Sequence, residues 1–453
     1  MQPQPGINLT ATGSTSMRWR QRWRIRANRT CEAFMEKPQP AYRPELFVNH
    51  ADEIELVEQA VREALARKPR RTRAITFYGE RGSGKTWLSR HLGTALPHPP
   101  DVQAQAKRVK VLTLFLAPPK AELDANASQQ HQHCYFYEAS SASCQSPDQI
   151  VLEMLHWVCQ RWEVTYDEQA SAADLIYWLG RDLPQHDGVA FVLIVDSVFE
   201  FGKGNERLPL LEDQLLTPVA SLDNGLVVMT GRGAPFPWRS VPLRQESVEK
   251  VLPPFHAQDV GEQLARCAFL ADPARAARIH ALGGGYPLNT HVLGQADPPE
   301  AELEELVDAL LDFVQSGVQR SVREALEALC VLDRFREREI AIMMARHRAE
   351  SNGEERSEGL SMEDARSVRD LLLDNYLMRW QGAGYVINES VRVAYRSYLQ
   401  YHKPTLFAAL GCRAIEMYRT WSENYPNAEM YYRRQAEQLG ALLASVNALH
   451  QSQ

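Results

Sequence analysis

Apolar residues recur along this chain with two spacings, and the two spacings predict different elements. Helical spacing appears at 52–67 and 147–162, before and between continuous apolar runs. Those runs predict strands at 74–78, 109–116, 189–196 and 225–230, and a shorter run allows another at 134–137. Strands that alternate with helices are typical of a parallel sheet covered by helices. The N-terminal half is therefore predicted to be an α/β fold.

From residue 256 onward the pattern is almost entirely helical. The segment 256–318 predicts a small helical bundle, interrupted at the three glycines 283–285. The elements predicted next are helices at 322–332, 337–344 and 363–373, followed by short strands at 376–380 and 385–387. Three helices and a hairpin in this order predict a winged-helix domain. Helical spacing over 404–449 predicts two or three further helices.

The segment 79–86 fits the phosphate-binding loop pattern G-x-x-x-x-G-K-[ST] at every fixed position. A predicted strand precedes it and a breaker-free helical segment follows it, which is the context that such a loop needs, because loop amides and a helix N-terminus bind anions together. Lys85 would reach the β- and γ-phosphates, and the Thr86 hydroxyl would hold Mg²⁺. The predicted nucleotide-binding residues of this segment are Gly79, Glu80, Arg81, Gly82, Ser83, Gly84, Lys85, Thr86 and Trp87.

Side chains at the ends of two later strands could complete a catalytic site with Lys85. Asp196 ends the apolar run 189–196, where a Mg²⁺-coordinating acid is expected beside a phosphate loop. Glu200 could orient or deprotonate the attacking water, and Arg232 could bind the γ-phosphate. The simpler interpretations are a helix N-cap for the acid and a solvated loop residue for the arginine. The phosphate loop favours the catalytic interpretation.

Composition limits the class of partner. The chain has 453 residues, of which 44% are hydrophobic, and no apolar run reaches the length of about 18 that a membrane span needs. Seven cysteines without C-x-x-C spacing favour a reducing, cytoplasmic environment. The net charge of −7 argues against nucleic acid as the main partner. His131, His133 and Cys134 lack a second ligand pair at zinc spacing, so we predict a polar loop there.

The first 44 residues differ in composition from the rest of the chain. Residues 1–16 are rich in Gln, Pro, Gly, Ser and Thr, and in 17–26 arginine alternates with mostly apolar residues. A disordered tail is predicted, or a segment upstream of a start at Met35. The alternative is a basic, aromatic arm for an anionic membrane or nucleic acid.

Taken in order, the motifs of this chain resemble those of STAND-class P-loop NTPases, the AP-ATPase- and NACHT-like signalling ATPases of the AAA+ superfamily. The segments that carry the resemblance are Phe-Val-Asn-His at 47–50, the phosphate loop at 79–86, Ile-Val-Asp-Ser-Val-Phe-Glu at 194–200, Thr-Gly-Arg at 230–232, Val-Leu-Pro-Pro-Phe at 251–255 and Gly-Gly-Gly-Tyr-Pro-Leu at 283–288. The resemblance covers about residues 45–402. It implies binding of ATP or ADP with Mg²⁺, and a base site lined by Phe47, Val48 and Pro287.

The resemblance also implies a domain organisation and a mode of action. The predicted domains are a tail at 1–44, a P-loop NTPase core at 45–235, a helical lid at 236–318, a winged helix at 319–402 and a C-terminal helical segment at 403–453. In this class ADP holds the closed state and ATP permits an open state that self-assembles in signalling or defence. Asn388 stands where many relatives have a histidine that contacts the ADP phosphate, which puts tight ADP locking in doubt. A separate effector or sensor protein is a further expected partner.

Two other functions fit the same motifs. An initiator-like AAA+ ATPase would bind DNA through its winged helix, but the predicted third helix has more acidic than basic residues, which is unfavourable for phosphate contact. A scaffold would bind nucleotide without hydrolysing it. A nucleotide-dependent switch with slow ATP hydrolysis is the function that we predict.

The phosphate-loop assignment predicts the effect of removing one ammonium group. Lys85→Ala is expected to abolish nucleotide binding and to leave the fold intact, because the role of this lysine in the motif is to bind phosphate. Calorimetric titration with ATP, alongside circular dichroism of both proteins, measures the two effects. Tight ATP binding by the variant would contradict the assignment.

Overall fold

A computed structural model describes residues 42–96, 109–116, 134–136, 146–167, 169–201, 207–233, 236–352 and 360–451. The predicted tail up to residue 41 lies outside the described residues. So do His131 and His133 of the predicted polar loop, and residues 353–359, which precede the helix predicted at 363–373.

A six-stranded parallel sheet forms the centre of the N-terminal part. Its strands are β1 (Ala74–Gly79), β2 (Val109–Phe115), β3 (Cys134–Phe136), β4 (Ala190–Asp196), β5 (Gly225–Arg232) and β6 (Ser247–Val251). Their spatial order is β3-β2-β4-β5-β1-β6. Because β5 lies between β1 and β4, the strand of the phosphate loop and the strand that ends in Asp196 are both its neighbours. The central strand β4 is buried over its whole length, as its continuous apolar run predicts.

Helices cover both faces of this sheet. They are α1 (Ala51–Leu65), α2 (Lys85–Ala95), α3 (Pro147–Arg161), α4 (Ala172–Asp182), α5 (Val198–Phe201), α6 (Arg207–Leu211), α7 (Thr217–Ser221) and α8 (Val241–Arg244). Helices α3 and α4 begin with capping boxes at Ser146 and Ser171, whose hydroxyls accept from free backbone amides of the first turn. One apolar cluster packs α1 and α2 on one face, and another packs α3 and α4 on the other.

The C-terminal part is helical except for one hairpin. The helices are α9 (Ala257–Arg266), α10 (Pro273–Gly283), α11 (Pro287–Leu293), α12 (Leu303–Ala309), α13 (Ser316–Leu329), α14 (Glu337–Asn352), α15 (Met362–Asp374), α16 (Glu389–His402), α17 (Pro404–Asn424) and α18 (Glu429–Gln451). The strands β7 (Met378–Gln381) and β8 (Gly384–Ile387) pair antiparallel between α15 and α16. Helices α13–α15 are followed by this hairpin, which is the order of elements that the sequence predicts. A single apolar cluster runs from α9 to α18.

Two elements differ from the prediction. Strand β6 was not predicted, because only Val248 and Val251 interrupt its polar residues and it lies at the edge of the sheet, where no continuous apolar run is needed. Helix α14 extends to Asn352, whereas the apolar spacing predicted an end at residue 344. Its last turns contain polar residues with good helix propensity, which the apolar pattern alone does not detect.

Two features of the described residues concern membrane spans and cysteines. None of the helices there combines the length and the apolar character that crossing a bilayer requires. Within the same residues, Cys159, Cys267, Cys330 and Cys412 carry free thiols.

Two glycines provide a matched test of this packing. A methyl group on Gly225, at the start of β5, would lie 2.1 Å from the carbonyl oxygen of Val219, whereas one on Gly180 of α4 meets no atom within 4 Å. Gly225→Ala is expected to lower the free energy of unfolding by about 3 kcal/mol or more, because the contact is with backbone. Gly180→Ala should raise it by about 0.5–1 kcal/mol through helix propensity. Urea unfolding measures both, and equal changes would contradict the packing at β5.

Candidate nucleotide-binding site

The phosphate loop connects β1 to α2, and its conformation depends on two glycines. Gly82 and Gly84 have φ values of 77° and 89°, which side-chain-bearing residues rarely adopt. A methyl group on Gly82 would also lie 3.0 Å from Cβ of Leu288 in α11, so the loop and α11 are in close contact. The amide of Leu288 donates to the carbonyl of Gly82 at 3.3 Å. The loop is thus held between the sheet and the helical bundle.

Lys85 is buried at the first position of α2. Its ammonium donates to the carbonyls of Gly79 and Glu80, at 3.1 and 2.6 Å, and to the Ser83 hydroxyl at 3.1 Å. Burial lowers the pKa of Lys85 to about 8, and the negative charge of Glu200 opposes that shift. An anion bound at the loop would favour the charged form of this lysine.

Asp196 at the end of β4 is buried and surrounded by hydroxyl groups. Thr86 and Ser89 of α2 donate to it at 3.0 and 3.1 Å, and Thr230 of β5 donates at 2.6 Å. The Ser197 hydroxyl lies 3.1 Å from the same carboxylate. These donors satisfy a carboxylate that burial would otherwise destabilise. Thr86 and Asp196, the two predicted metal ligands, are therefore adjacent.

A glycine-rich loop connects β1 of a parallel sheet to α2, and an aspartate ends β4, which is separated from β1 by one strand. This combination decides the fold class. The fold is that of a P-loop NTPase. The arrangement follows from the sheet order, since the carboxyl ends of parallel strands meet along one edge. Within this fold, the remaining predicted residues occupy that edge or the loops beside it.

Arg232 ends β5 directly beside the phosphate loop, where its Cα is paired with that of Gly79. Its guanidinium Nε lies 3.2 Å from Oε1 of Glu200, and its backbone amide donates to Oε2 of Glu200 at 3.2 Å. The two predicted catalytic residues Glu200 and Arg232 therefore form an ion pair with each other. Both are also close enough to Lys85 to affect its pKa.

Arg81 and Arg232 contact the same aromatic ring. The guanidinium carbon of Arg81 lies 4.2 Å from the centre of the Phe313 ring, and that of Arg232 lies 4.6 Å from it. Arg81 also forms a salt bridge with Asp312 and donates to the carbonyl of Ala309 at 3.1 Å. Phe313 and Asp312 follow α12, so the helical bundle contacts both the phosphate loop and the end of β5.

Glu80 connects the phosphate loop to three other elements. Its Oε1 accepts from Nη1 of Arg379 in β7 at 2.6 Å, and its Oε2 accepts from the Ser390 amide of α16 at 2.7 Å. The Tyr286 hydroxyl, just before α11, donates to Oε2 at 3.1 Å. The sequence motif tolerates any residue at position 80, so this role was not predicted. An acidic side chain in an anion-binding loop was a usable signal, because it needs a positively charged partner.

The residues predicted to line the base pack against α2, the helical cluster and the phosphate loop. Phe47 stacks on His91 of α2, with ring centres 4.0 Å apart and planes inclined by 7°. Val48 is buried in the apolar cluster of the helical part. Pro287 begins α11, and its Cγ would lie 3.6 Å from a methyl group on Gly84. Trp87 is partly buried and packs edge-on against Tyr42.

Asn388 forms contacts with β7 and with the residues that precede it. Its amide nitrogen donates to the carbonyl of Tyr376 at 2.6 Å, and its Oδ1 accepts from Nη1 of Arg379 at 3.3 Å. The Tyr376 hydroxyl in turn donates to the carbonyl of Phe199 at 3.0 Å, beside Glu200. The carboxylate of Glu80, bound by Arg379, thus lies close to Asn388.

The loop residues fit a nucleoside triphosphate and Mg²⁺. The left-handed conformation of Gly82 and Gly84 leaves room along the loop backbone, and the buried ammonium of Lys85 donates to two carbonyls and a hydroxyl. The adjacent Thr86 hydroxyl and Asp196 carboxylate are oxygen donors of the kind that Mg²⁺ prefers. Among the described residues, no group of three His, Cys, Asp or Glu side chains could hold a metal ion.

Comparison with known proteins found similarity only among solved structures. Neither a family model nor a curated protein matches the sequence. A Walker-type ATPase of Pyrococcus abyssi is 14% identical, with a TM-score of 0.49, and the match covers 79% of this chain and 98% of that one. The Orc1 protein of Aeropyrum pernix in complex with DNA is 14% identical, with a TM-score of 0.39, over 79% of this chain and 94% of that one.

A third similar structure is a STAND protein with a tetratricopeptide repeat sensor from Pyrococcus horikoshii. It is 12% identical with a TM-score of 0.35, and the match covers 90% of this chain and 55% of that one. Similarity at this level assigns neither a family nor a function to the chain.

The contacts of Glu80 predict a measurable local change. Glu80→Ala removes the acceptor of the Ser390 amide, so hydrogen exchange at that amide should accelerate by about tenfold or more. Exchange followed by mass spectrometry measures it. Glu58→Ala, which removes a surface partner of Arg62 on α1, is the control and should leave that exchange unchanged. Equal protection of Ser390 in both variants would contradict the contact.

Proposed function

We propose that this chain is an ATP-binding, slowly hydrolysing nucleotide-dependent switch of the STAND type. The observation that carries the proposal is that two side chains of the phosphate loop, Glu80 and Arg81, bind the helical part of the chain directly. A bound nucleotide touches this same loop. Occupancy of the loop can therefore change how firmly the helical part is held, which is what a switch requires and a simple ATPase does not.

The roles of the site residues follow from their positions. Lys85 would bind the β- and γ-phosphates, while Thr86 and Asp196 would hold Mg²⁺. When bound, the ion offsets the negative charge of the phosphates. Glu200 would orient the attacking water or accept its proton. These assignments rest on the loop geometry and on the hydroxyl contacts of Asp196.

The ion pair between Glu200 and Arg232 supports slow hydrolysis. A carboxylate held by a guanidinium and by a backbone amide is not free to orient a water, because both of its oxygens are already engaged. Binding of a γ-phosphate by Arg232 would compete with this pair and release Glu200. Hydrolysis would then require that Arg232 move from the carboxylate to the phosphate. The 3.2 Å separation of Nε and Oε1 is the observation behind this step.

Opening of the helical part would be the response to nucleotide. Glu80 holds β7 and α16, and Arg81 holds the end of α12, so both attachments lie within the phosphate loop. We propose the predicted boundaries at 45–235, 236–318, 319–402 and 403–453 as the units that move relative to one another. Self-assembly with ATP, and binding of a separate effector or sensor protein, would follow the release of the helical part.

DNA binding through the winged helix is the runner-up function, and the contacts of α15 argue against it. Arg369 is bound by Glu337 and Asp370, at 2.6 and 2.7 Å, and is not available for phosphate. The hairpin arginine Arg379 is bound by Glu80. Two basic residues that could contact DNA therefore already have acidic partners.

Light scattering distinguishes the two functions. The mass of the protein is measured with ADP, with ATP and with a non-hydrolysable ATP analogue, each with Mg²⁺ and each with and without duplex DNA. The switch predicts assembly with the analogue alone and a smaller species with ADP. Assembly or retention only with DNA would overturn the proposal in favour of the initiator-like ATPase. Lys85→Ala is the matched control, because it should not respond to nucleotide at all.

A further inference from the structure

His50 is a buried residue with one ring nitrogen that has no partner. It precedes α1 in the left-handed conformation, with φ of 65°, and only 3% of its surface is exposed. Its Nε2 is buried and accepts or donates no hydrogen bond within the described part of the chain. Aromatic rings of Phe47 and Phe255 lie near it, with centres at 6.0 and 5.7 Å. A buried, unsatisfied nitrogen is costly, which points to a ligand that completes it.

The other ring nitrogen fixes the tautomer. Nδ1 of His50 lies 3.4 Å from Oε2 of Glu53, and Oε1 of the same carboxylate binds the Lys250 ammonium at 2.9 Å. The hydrogen bond with His50 is the main reason that the pKa of Glu53 falls to about 2, so this carboxylate is an acceptor. The contact with Glu53 therefore selects the tautomer that has its proton on Nδ1, in which Nε2 is an acceptor.

The unpartnered nitrogen faces the phosphate loop. A methyl group on Gly84 would lie 3.4 Å from Nε2 and 3.6 Å from Cγ of Pro287. Gly84 directly precedes Lys85, so Nε2 lies beside the beginning of α2 and near Pro287, which is predicted to line the base. The nitrogen is thus next to the expected nucleotide but is not among the groups that bind phosphate.

We propose that His50 determines base specificity, with Nε2 accepting a hydrogen bond from the exocyclic 6-amino group of a purine. The inference rests on the proposed nucleotide binding. It deepens that proposal by assigning the selection of adenine to one side chain, which Glu53 holds in the required tautomer. His50 acts here as a specificity-determining residue and takes no part in phosphate chemistry.

The chemistry of the 6-position explains the selection. Adenine carries an amino donor at that position, whereas guanine and hypoxanthine carry a carbonyl oxygen, which is an acceptor. Two acceptors facing each other leave both without a hydrogen bond in a buried site. Sites that bond a ligand's N–H group discriminate strongly against analogues that lack it. ATP should therefore bind about 10- to 100-fold more tightly than ITP, the hypoxanthine analogue.

Calorimetric titration of ATP and ITP into the full chain with Mg²⁺ tests the proposal. His50→Phe keeps a planar ring and removes the nitrogen, so the ratio of the two affinities should fall to about one. His156→Phe is the matched control, because this histidine lies on α3 against Tyr166 and away from the loop. The control should keep the wild-type ratio. Thermal unfolding of each variant establishes that it is folded.

Glu53→Gln tests the tautomer without changing the imidazole. The Lys250 ammonium binds one oxygen of Glu53, so it would hold the carbonyl oxygen of a glutamine and turn the amide NH₂ group toward Nδ1. Nδ1 then becomes the acceptor and Nε2 becomes a donor. The preference should shift toward ITP, which a merely structural role of Glu53 would not produce.

The outcomes separate this inference from the proposed function. Absence of binding of both nucleotides to the wild-type protein would overturn the proposed function and this inference together. Binding of ATP and ITP with equal affinity, or an unchanged ratio in His50→Phe, would overturn only the assignment of His50. Selection for ATP that disappears in His50→Phe and shifts toward ITP in Glu53→Gln supports it.

Discussion

The position of the helical part depends on one partly buried carboxylate, that of Glu80. A carboxylate inside an anion-binding loop is unfavourable unless donors surround it. Here a guanidinium, a backbone amide and a tyrosine hydroxyl supply them, from β7, α16 and the segment before α11. Each donor belongs to the helical part, so the loop cannot satisfy Glu80 without holding that part in place. The charge of one carboxylate thus fixes the position of the helical part relative to the phosphate loop.

A second carboxylate organises the sheet side in the same way. Asp196 accepts hydrogen bonds from hydroxyl groups of α2 and of β5. These bonds connect the helix after the phosphate loop to β4 and β5. The phosphate loop lies between the two carboxylates, and the Lys85 ammonium donates to the loop carbonyls of Gly79 and Glu80. Groups that would bind a nucleotide are thereby held by the same contacts that hold the fold together.

The sequence predicted the sheet, the phosphate loop and the hairpin, because each has a local signature: a continuous apolar run, a fixed glycine spacing, or strands separated by a short turn. Strand β6 was not predicted, because an edge strand needs no continuous apolar run. The proximity of Asp196 to Thr86 was predictable from the rule that strands of a parallel sheet present their carboxyl ends together. The contacts of Glu80 were not, because their partners lie more than two hundred residues away and one of them is a backbone amide, which no pattern of side chains reveals.

The salt bridge between Glu80 and Arg379 also constrains how related sequences can vary. Position 80 belongs to the variable part of the loop motif, so the nucleotide leaves it free to change. Arg379 in β7 restricts which residues are tolerated at position 80, because a basic residue there would lie at a distance from Arg379 where like charges repel. Substitutions at positions 80 and 379 are therefore expected to be correlated between relatives, although 299 positions separate them in the chain.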